Sequence, residues 1–245
     1  MRFPDTNVLV TGATGGLGRA ICRAFAAEGA RVLVADLPGA PAAAFAAELG
    51  GGARAVVLDV TDEAQWEAVF AAEPVGVLVN NAGFFQPNVP FAEMPLELWR
   101  RHFAVNADGV FLGCKHAILT MASGGAVVNI GSGMSIKANP VAAAYCGSKA
   151  AVLMTTHTAA AAAGPRGIRV NAVLPGAVDT AMLMGNLVEG EEPAAYLEKM
   201  ATYSALGRLA TADDIARATL FLADPANGAV TGIYLPVDGG NMPGA

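Results

Sequence analysis

The sequence predicts an α/β fold: one doubly wound, mostly parallel, seven-stranded sheet with helices covering both faces. Two observations carry this. Seven short β-branched runs are mostly apolar without alternation, as strands buried on both faces are. Alanine-rich segments with helix caps and helix formers separate them, and alternation of strand with helix builds parallel sheets.

In chain order, the run 8–10 leads into a glycine-rich turn, Thr11-Gly12-Ala13-Thr14-Gly15-Gly16-Leu17-Gly18, that opens a helix over 16–28. Strand 31–35 ends at Asp36 and precedes helix 41–49; strand 55–58 precedes helix 62–72. Thr61-Asp62-Glu63 offers that helix cap oxygens and a first-turn carboxylate, where the positive end of the helix favours them. Strand 75–79 is followed by a single long helix over 97–121, strand 126–130 by helix 142–163, and strand 168–173 by helix 212–223, capped by Thr211. The last run, 232–237, contains Pro236, which lacks an N–H and so belongs on a sheet edge.

A chain of 245 residues fits one domain, expected over 1–245. Hydrophobic residues make up 54 % and charged ones 15 %, so disorder is not expected. The net charge of −6 contains no basic block, which argues against nucleic acid or an anionic membrane surface as partner. Cys22, Cys114 and Cys146 are scattered, as in a reducing cytoplasm, and His102, His116 and His157 show no metal-ligand spacing, so no metal is expected. A strand-like run from Asn7 leaves no leader peptide expected, and the charge-free stretch 150–165 is shorter than a membrane span.

In the glycine-rich turn, Gly12, Gly16 and Gly18 allow a tight bend, close approach of backbone to a diphosphate and close helix–strand packing, while the helix N-terminus offers free N–H groups. Asp36 stands where a carboxylate can accept hydrogen bonds from an adenosine ribose. A 2′-phosphate there would be repelled by roughly 1–3 kcal/mol. The expected cofactor is therefore NAD.

Tyr145 and Lys149 lie four apart on one face of the 142–163 helix, with Ser132 upstream. A phenol titrates near pH 10 (about), and an ammonium beside it is expected to pull that value down. Such a pair can move a proton on or off an alcohol oxygen.

Taken together, these motifs resemble those of the short-chain dehydrogenase/reductase family, a Rossmann-type fold, over residues 8–240. The turn at Thr11 to Gly18 is similar to the family's cofactor turn; Asp59-Val60, ending the third strand, to its adenine-contacting pair; and Asn80-Asn81-Ala82-Gly83 to the signature after the fourth strand. Pro175-Gly176-Ala177-Val178-Asp179-Thr180 resembles the nicotinamide loop, and Val237-Asp238-Gly239-Gly240 the C-terminal signature. The resemblance implies catalytic roles for Asn106, Ser132, Tyr145 and Lys149, the last two also touching the cofactor with Leu17 and Leu37. It implies no metal and a homotetramer or homodimer. The sequence departs in having Gly131 before Ser132, where a second serine is common.

The substrate walls are expected to be apolar: Phe85, Met134, Met182 and Leu183, with 181–203 a lid hinged near Gly185, Gly190 and Pro193. Few basic residues flank them, so a small neutral secondary alcohol or ketone is expected. The alternatives are a reductase of carrier-bound 3-oxoacyl groups, which the acidic balance disfavours, and a non-catalytic NAD sensor, which would be expected to have lost Ser132, Tyr145 or Lys149.

Overall fold

A computed structural model describes residues 1–188 and 190–241. Its sheet has seven strands: β1 (Asn7–Thr11), β2 (Arg31–Asp36), β3 (Arg54–Val57), β4 (Val75–Asn80), β5 (Ala126–Ile130), β6 (Arg169–Pro175) and β7 (Tyr234–Val237). They lie in the order β3-β2-β1-β4-β5-β6-β7, and every neighbouring pair is parallel. The helices are α1 (Gly16–Ala27), α2 (Ala42–Leu49), α3 (Glu63–Ala72), α4 (Leu96–Phe103), α5 (Gly109–Thr120), α6 (Ala143–Ala163), α7 (Ala181–Met184), α8 (Pro193–Ala201) and α9 (Ala212–Ala223).

Alternate residues of the central strands feed two separate cores, which is why those strands read as unbroken apolar runs, whereas the edge strands β3 and β7 are largely exposed. Val8, Val10, Val32, Val34 and Val128 pack with Phe25 of α1, Phe45 of α2 and Ile215 of α9. Leu9, Leu33, Leu78, Val127 and Val170 face the other way, onto Trp66 of α3, Ala117 of α5 and Val152 of α6. A slip of one residue in any strand would exchange the two sets.

The expected elements form, with three differences. The single helix over 97–121 is broken into α4 and α5 by a turn of π-helix, Ala104–Asp108. The wider turn lets the buried Asn106 reach across to backbone of the 84 loop, a bond that a regular helix would not place there. The third strand ends at Val57, so Asp59-Val60 lies beyond it rather than ending it. The Asp59 carboxylate accepts from the N–H and hydroxyl of Thr61, and the Asp59 N–H donates to Gln65 Oε1, which turns the chain into α3. Finally, the segment over 181–203 contains the two short helices α7 and α8. Pro236 does sit in β7, an edge strand, opposite Leu174.

Arg169 on β6 is buried with its guanidinium aimed at the end of α9. It donates to the carbonyls of Leu222 (2.6 Å), Ala223 (2.9 Å), Asp224 (3.1 Å) and Val230 (3.3 Å). The first three are carbonyls at the C-terminus of α9, which a helix cannot satisfy itself, and Val230 lies in the loop that leads to β7. Replacing Arg169 by Met should strand them away from water and lower unfolding stability by about 3 kcal/mol, read as a fall in the urea midpoint.

Candidate active site

The candidate residues gather along the carboxyl edge of the sheet, beside the point between β1 and β4 where strand order reverses. Thr11, ending β1, accepts through its hydroxyl from the N–H groups of Asn81 (3.0 Å) and Ala82 (2.9 Å). The Asn81 amide donates to the carbonyls of Thr11 (2.9 Å) and Gly12 (3.0 Å). A side chain on Gly12, at φ +59°, would lie 2.9 Å from Ala82 Cα. One on Gly18 would run into the carbonyl of Gly12. These glycines are thus required by close packing as well as by any ligand.

Helix α1 begins after Gly15, and no side chain caps it. Its first turn, Gly16-Leu17-Gly18, carries N–H groups of the kind that receive phosphate. A Cβ on Gly16 would meet the Thr180 methyl at 3.0 Å, so the loop after β6 closes directly over this turn. In that loop Gly176 packs against Asp238, Val178 is buried and bridges to Ala210, and Thr180 caps α7 by accepting from the Leu183 N–H.

Asp36 faces the same turn. Its Oδ2 accepts from the N–H (2.9 Å) and hydroxyl (2.6 Å) of Thr14, and its Oδ1 from the Leu37 N–H (2.9 Å). Thr14 as the partner of Asp36 was not singled out in the sequence; its signal was a hydroxyl residue inside the glycine-rich turn. Of the pair Asp59-Val60, Val60 is buried against the Gly109 position and gives its carbonyl to Trp66. Asp59 is the member of the pair left half-exposed.

On the other side of the crevice, Ser132 follows β5 and starts a short helical turn, Gly133–Ser135. Its hydroxyl oxygen accepts from the Met134 N–H (3.1 Å), and the Ser132 N–H donates to Ser135 Oγ (3.1 Å). This reciprocal cap fixes the Ser132 rotamer and leaves its O–H free to donate. Tyr145 lies in the first turn of α6, 8 % exposed, and Lys149 one turn on, 3 % exposed.

Burial pushes the Tyr145 phenol up to about 12, with the Ser132 hydroxyl pulling it the other way. Burial likewise pushes the Lys149 ammonium down to about 8. The expected lowering of Tyr145 by Lys149 is not found: the group that lowers it is Ser132, and burial wins. Lys149 Nζ donates to the Ile130 carbonyl (2.8 Å) and lies 5.9 Å from the centre of the phenol ring, so proximity along the helix is not direct pairing.

Asn106 is fully buried. Its Nδ2 donates to the Phe84 carbonyl (2.9 Å) and to Ser148 Oγ (3.0 Å), and its Oδ1 accepts from the Phe84 N–H (2.8 Å). Ser148 in turn donates to the Tyr145 carbonyl (2.9 Å). A Cβ on Gly83 would lie 3.5 Å from Asn106 Oδ1 and 3.6 Å from Lys149 Nζ, so both groups converge on that glycine. Ser148, within the stretch 145–149, carried no assigned role in the sequence. Phe85 stacks at 4.4 Å on the Tyr145 ring, and Met134 adjoins Ser132. Met182, 44 % exposed, and Leu183 belong to α7, which Thr180 caps. His102 is structural: Nδ1 donates to the Leu98 carbonyl (2.9 Å) and Nε2 accepts from the Gln86 N–H (3.2 Å).

No helix among the described residues is long and apolar enough to cross a membrane. The profile of a family described as enoyl-(acyl carrier protein) reductase matches residues 12–241. The chain is 42 % identical to galactitol 2-dehydrogenase (L-tagatose-forming) of Cereibacter sphaeroides, covering 98 % of this chain and 96 % of that one. It is 37 % identical to 2,5-dichloro-2,5-cyclohexadiene-1,4-diol dehydrogenase of Sphingobium indicum, covering 98 % and 97 %. A crystal structure described as a short-chain dehydrogenase/reductase, glucose/ribitol dehydrogenase, from Brucella melitensis superposes with a TM-score of 0.90 at 32 % identity, covering 98 % of each chain. With the fold, the motif order and these matches in agreement, the chain belongs to the short-chain dehydrogenase/reductase family.

Proposed function

We propose that this protein transfers a hydride between NAD and a small, neutral, largely apolar secondary alcohol or its ketone, with Tyr145 as the acid/base. The observation that carries the reading is the convergence of buried Tyr145, Lys149 and Asn106 with Ser132 at the edge of the crevice that the uncapped turn of α1 opens.

When bound, the oxidised nicotinamide supplies the hydride acceptor and a positive charge beside the phenol. Tyr145 takes the proton of the substrate hydroxyl during oxidation and returns it to the carbonyl oxygen during reduction. Its raised pKa keeps the phenol protonated near neutrality, ready to donate, so ionisation in the oxidative direction needs added positive charge. Ser132, whose oxygen already accepts from Met134, donates its hydrogen to the substrate oxygen and holds it. Lys149 would hold the ribose hydroxyls, and its ammonium shares the Gly83 position with Asn106 Oδ1. The Asn106 amide has both hydrogens and one lone pair of Oδ1 committed, leaving one lone pair to anchor a relay water beside Gly83.

Gly12, Gly16, Leu17 and Gly18 hold the diphosphate. Asp36 holds the adenosine ribose, with Leu37, Asp59 and Val60 around the adenine. Asn81, Ala82 and Gly83 would contact the cofactor between its two ends, and Pro175, Gly176, Val178 and Thr180 would hold the nicotinamide. NAD over NADP rests on Asp36. Arg19 also reaches this turn, but donates to the Thr14 carbonyl, lies over the Phe45 ring at 4.3 Å and faces Glu48, which leaves it poorly placed to compensate a 2′-phosphate.

Phe85, Met134, Met182 and Leu183 form the apolar walls, and the 181–203 segment acts as the lid of a single catalytic domain. Asn88 donates to the Asn186 carbonyl (3.2 Å), a bond that would tie the two walls together on closure. Galactitol and the chlorinated cyclohexadiene diol, named for the relatives, share a neutral secondary alcohol; galactitol is a polar polyol, so the apolar character of the substrate rests on the wall residues alone. Lys137, the cation beside this region, has its ammonium held by Asn241 (2.6 Å), which supports a neutral substrate. The exposed Phe111 and Leu119 of α5 and Met154 of α6 would be covered in a cytoplasmic homotetramer packed through these helices.

Tyr145→Phe should abolish turnover, read from nicotinamide absorbance, while NAD binding by calorimetry is retained; substantial residual activity would refute the role of Tyr145. Asp36→Arg should shift the NAD-to-NADP ratio of kcat/KM by roughly ten- to hundredfold toward NADP, and a wild type already preferring NADP would contradict the reading of Asp36. The depressed pKa of Lys149, from 10.5 to about 8, means that the unfolded chain binds more protons between those limits. Stability should therefore gain a contribution as pH rises from 8 to 10.5, lost again as pH falls through 8; Lys149→Met should flatten that part of the thermal-unfolding profile.

A further inference from the structure

The fold brings together three ligand-type side chains that the sequence leaves far apart. Glu63 and Glu67 stand one turn apart on α3, and His116 projects from α5, which packs against it. One ligand atom from each lies within 4.8 Å of the other two. His116 is the telling member. It is only 4 % exposed, and its Nε2 is buried without a hydrogen-bond partner. Leaving such an atom unpaired away from water is costly, and native interiors rarely do so.

Nε2 points toward Glu63 Oε1 and stops 3.5 Å from it. That separation is long for a hydrogen bond, but it is close to the edge of a tetrahedron around an ion with ligand bonds of about 2.1 Å, which is about 3.4 Å. Phe70 of α3 stacks on the imidazole with the ring planes at 24°, which fixes the direction of Nε2. Glu67 is exposed and free to close the remaining gap.

We propose that Glu63, Glu67 and His116 bind a zinc-class divalent cation that clamps α3 to α5. One imidazole and two carboxylates suit a borderline transition ion, whereas magnesium and calcium prefer oxygen alone. The site lies about 15 Å along the helix axis from Asn106, ten residues away, so it serves the scaffold rather than hydride transfer. Lys115 pairs with Glu63 and competes with the ion for that carboxylate, so binding exchanges an ammonium for a dication on the same oxygen.

Calorimetric titration of the metal-free full chain with zinc chloride tests this. Wild type should bind one zinc per chain and magnesium chloride should give no such isotherm. Glu67→Gln, a change at an exposed residue that leaves the core alone, should weaken zinc binding by roughly tenfold or more. His116→Gln should do the same, and Lys115→Ala should tighten it by removing the competing charge. Absence of zinc binding to wild type, or a zinc isotherm unchanged in either Glu67→Gln or His116→Gln, overturns the site. Thermal unfolding of each variant without metal separates loss of the ligand from loss of the fold.

Discussion

The close approach of β1 and β4 at their carboxyl ends is the constraint on which the rest of the structure depends. The Thr11 hydroxyl accepts two backbone N–H groups at once, and the Asn81 amide closes the same junction from the opposite strand. That lock leaves no room for a side chain at Gly12 and forces a positive φ there. The chain then bends into α1 with its first turn uncapped, pointing into the crevice. Because Gly83 follows the lock within two residues, the backbone that reaches Asn106 and Lys149 is set by it as well. The turn proposed to hold phosphate and the residues proposed to move a proton therefore share one mechanical origin.

Burial dominates the electrostatics of the catalytic groups. Taking a phenol and an ammonium out of water favours the neutral form of both, which drives their pKa values apart, to about 12 and about 8. The pair is thus held with a protonated phenol and a lysine that gives up its proton easily, a combination suited to passing protons in either direction. Around it, polar groups are nearly saturated. Asn106, Ser148 and Ser132 are each anchored to backbone by at least one bond, so what each has left is directional.

Period and punctuation made the architecture legible in the sequence. Apolar runs without alternation announced a sheet covered on both faces, and Pro236 announced its edge, because both follow from rules that act over a few residues. What failed were features decided across the fold. The helix over 97–121 reads as continuous, yet Asn106 is drawn to Phe84, twenty-two positions away, and the helix widens to let it. Asp59 reads as a strand end, but its own short side chain turns the chain early. Helical spacing correctly set Tyr145 and Lys149 on one face; it carried no information on burial, and so the direction of the Tyr145 shift was missed. Glu63, Glu67 and His116 were invisible for the same reason, since only the packing of α3 on α5 joins them.

Gly131 shows how such a departure can be resolved by packing instead of chemistry. A side chain there would lie 2.5 Å from Leu174 Cδ2 and 3.3 Å from Ser135 Oγ. Leu174 is fully buried in β6, next to β5, so a larger residue at 131 would have to displace its side chain within the packed core. A hydroxyl near Ser132 is still supplied, by Ser135 from the far side of the turn, where it accepts the Ser132 N–H and sets the backbone from which the Ser132 side chain projects. With glycine before it, Ser132 thus keeps a hydroxyl held by the Met134 N–H, and such rigidity suits the proposed alignment of a substrate oxygen with Tyr145.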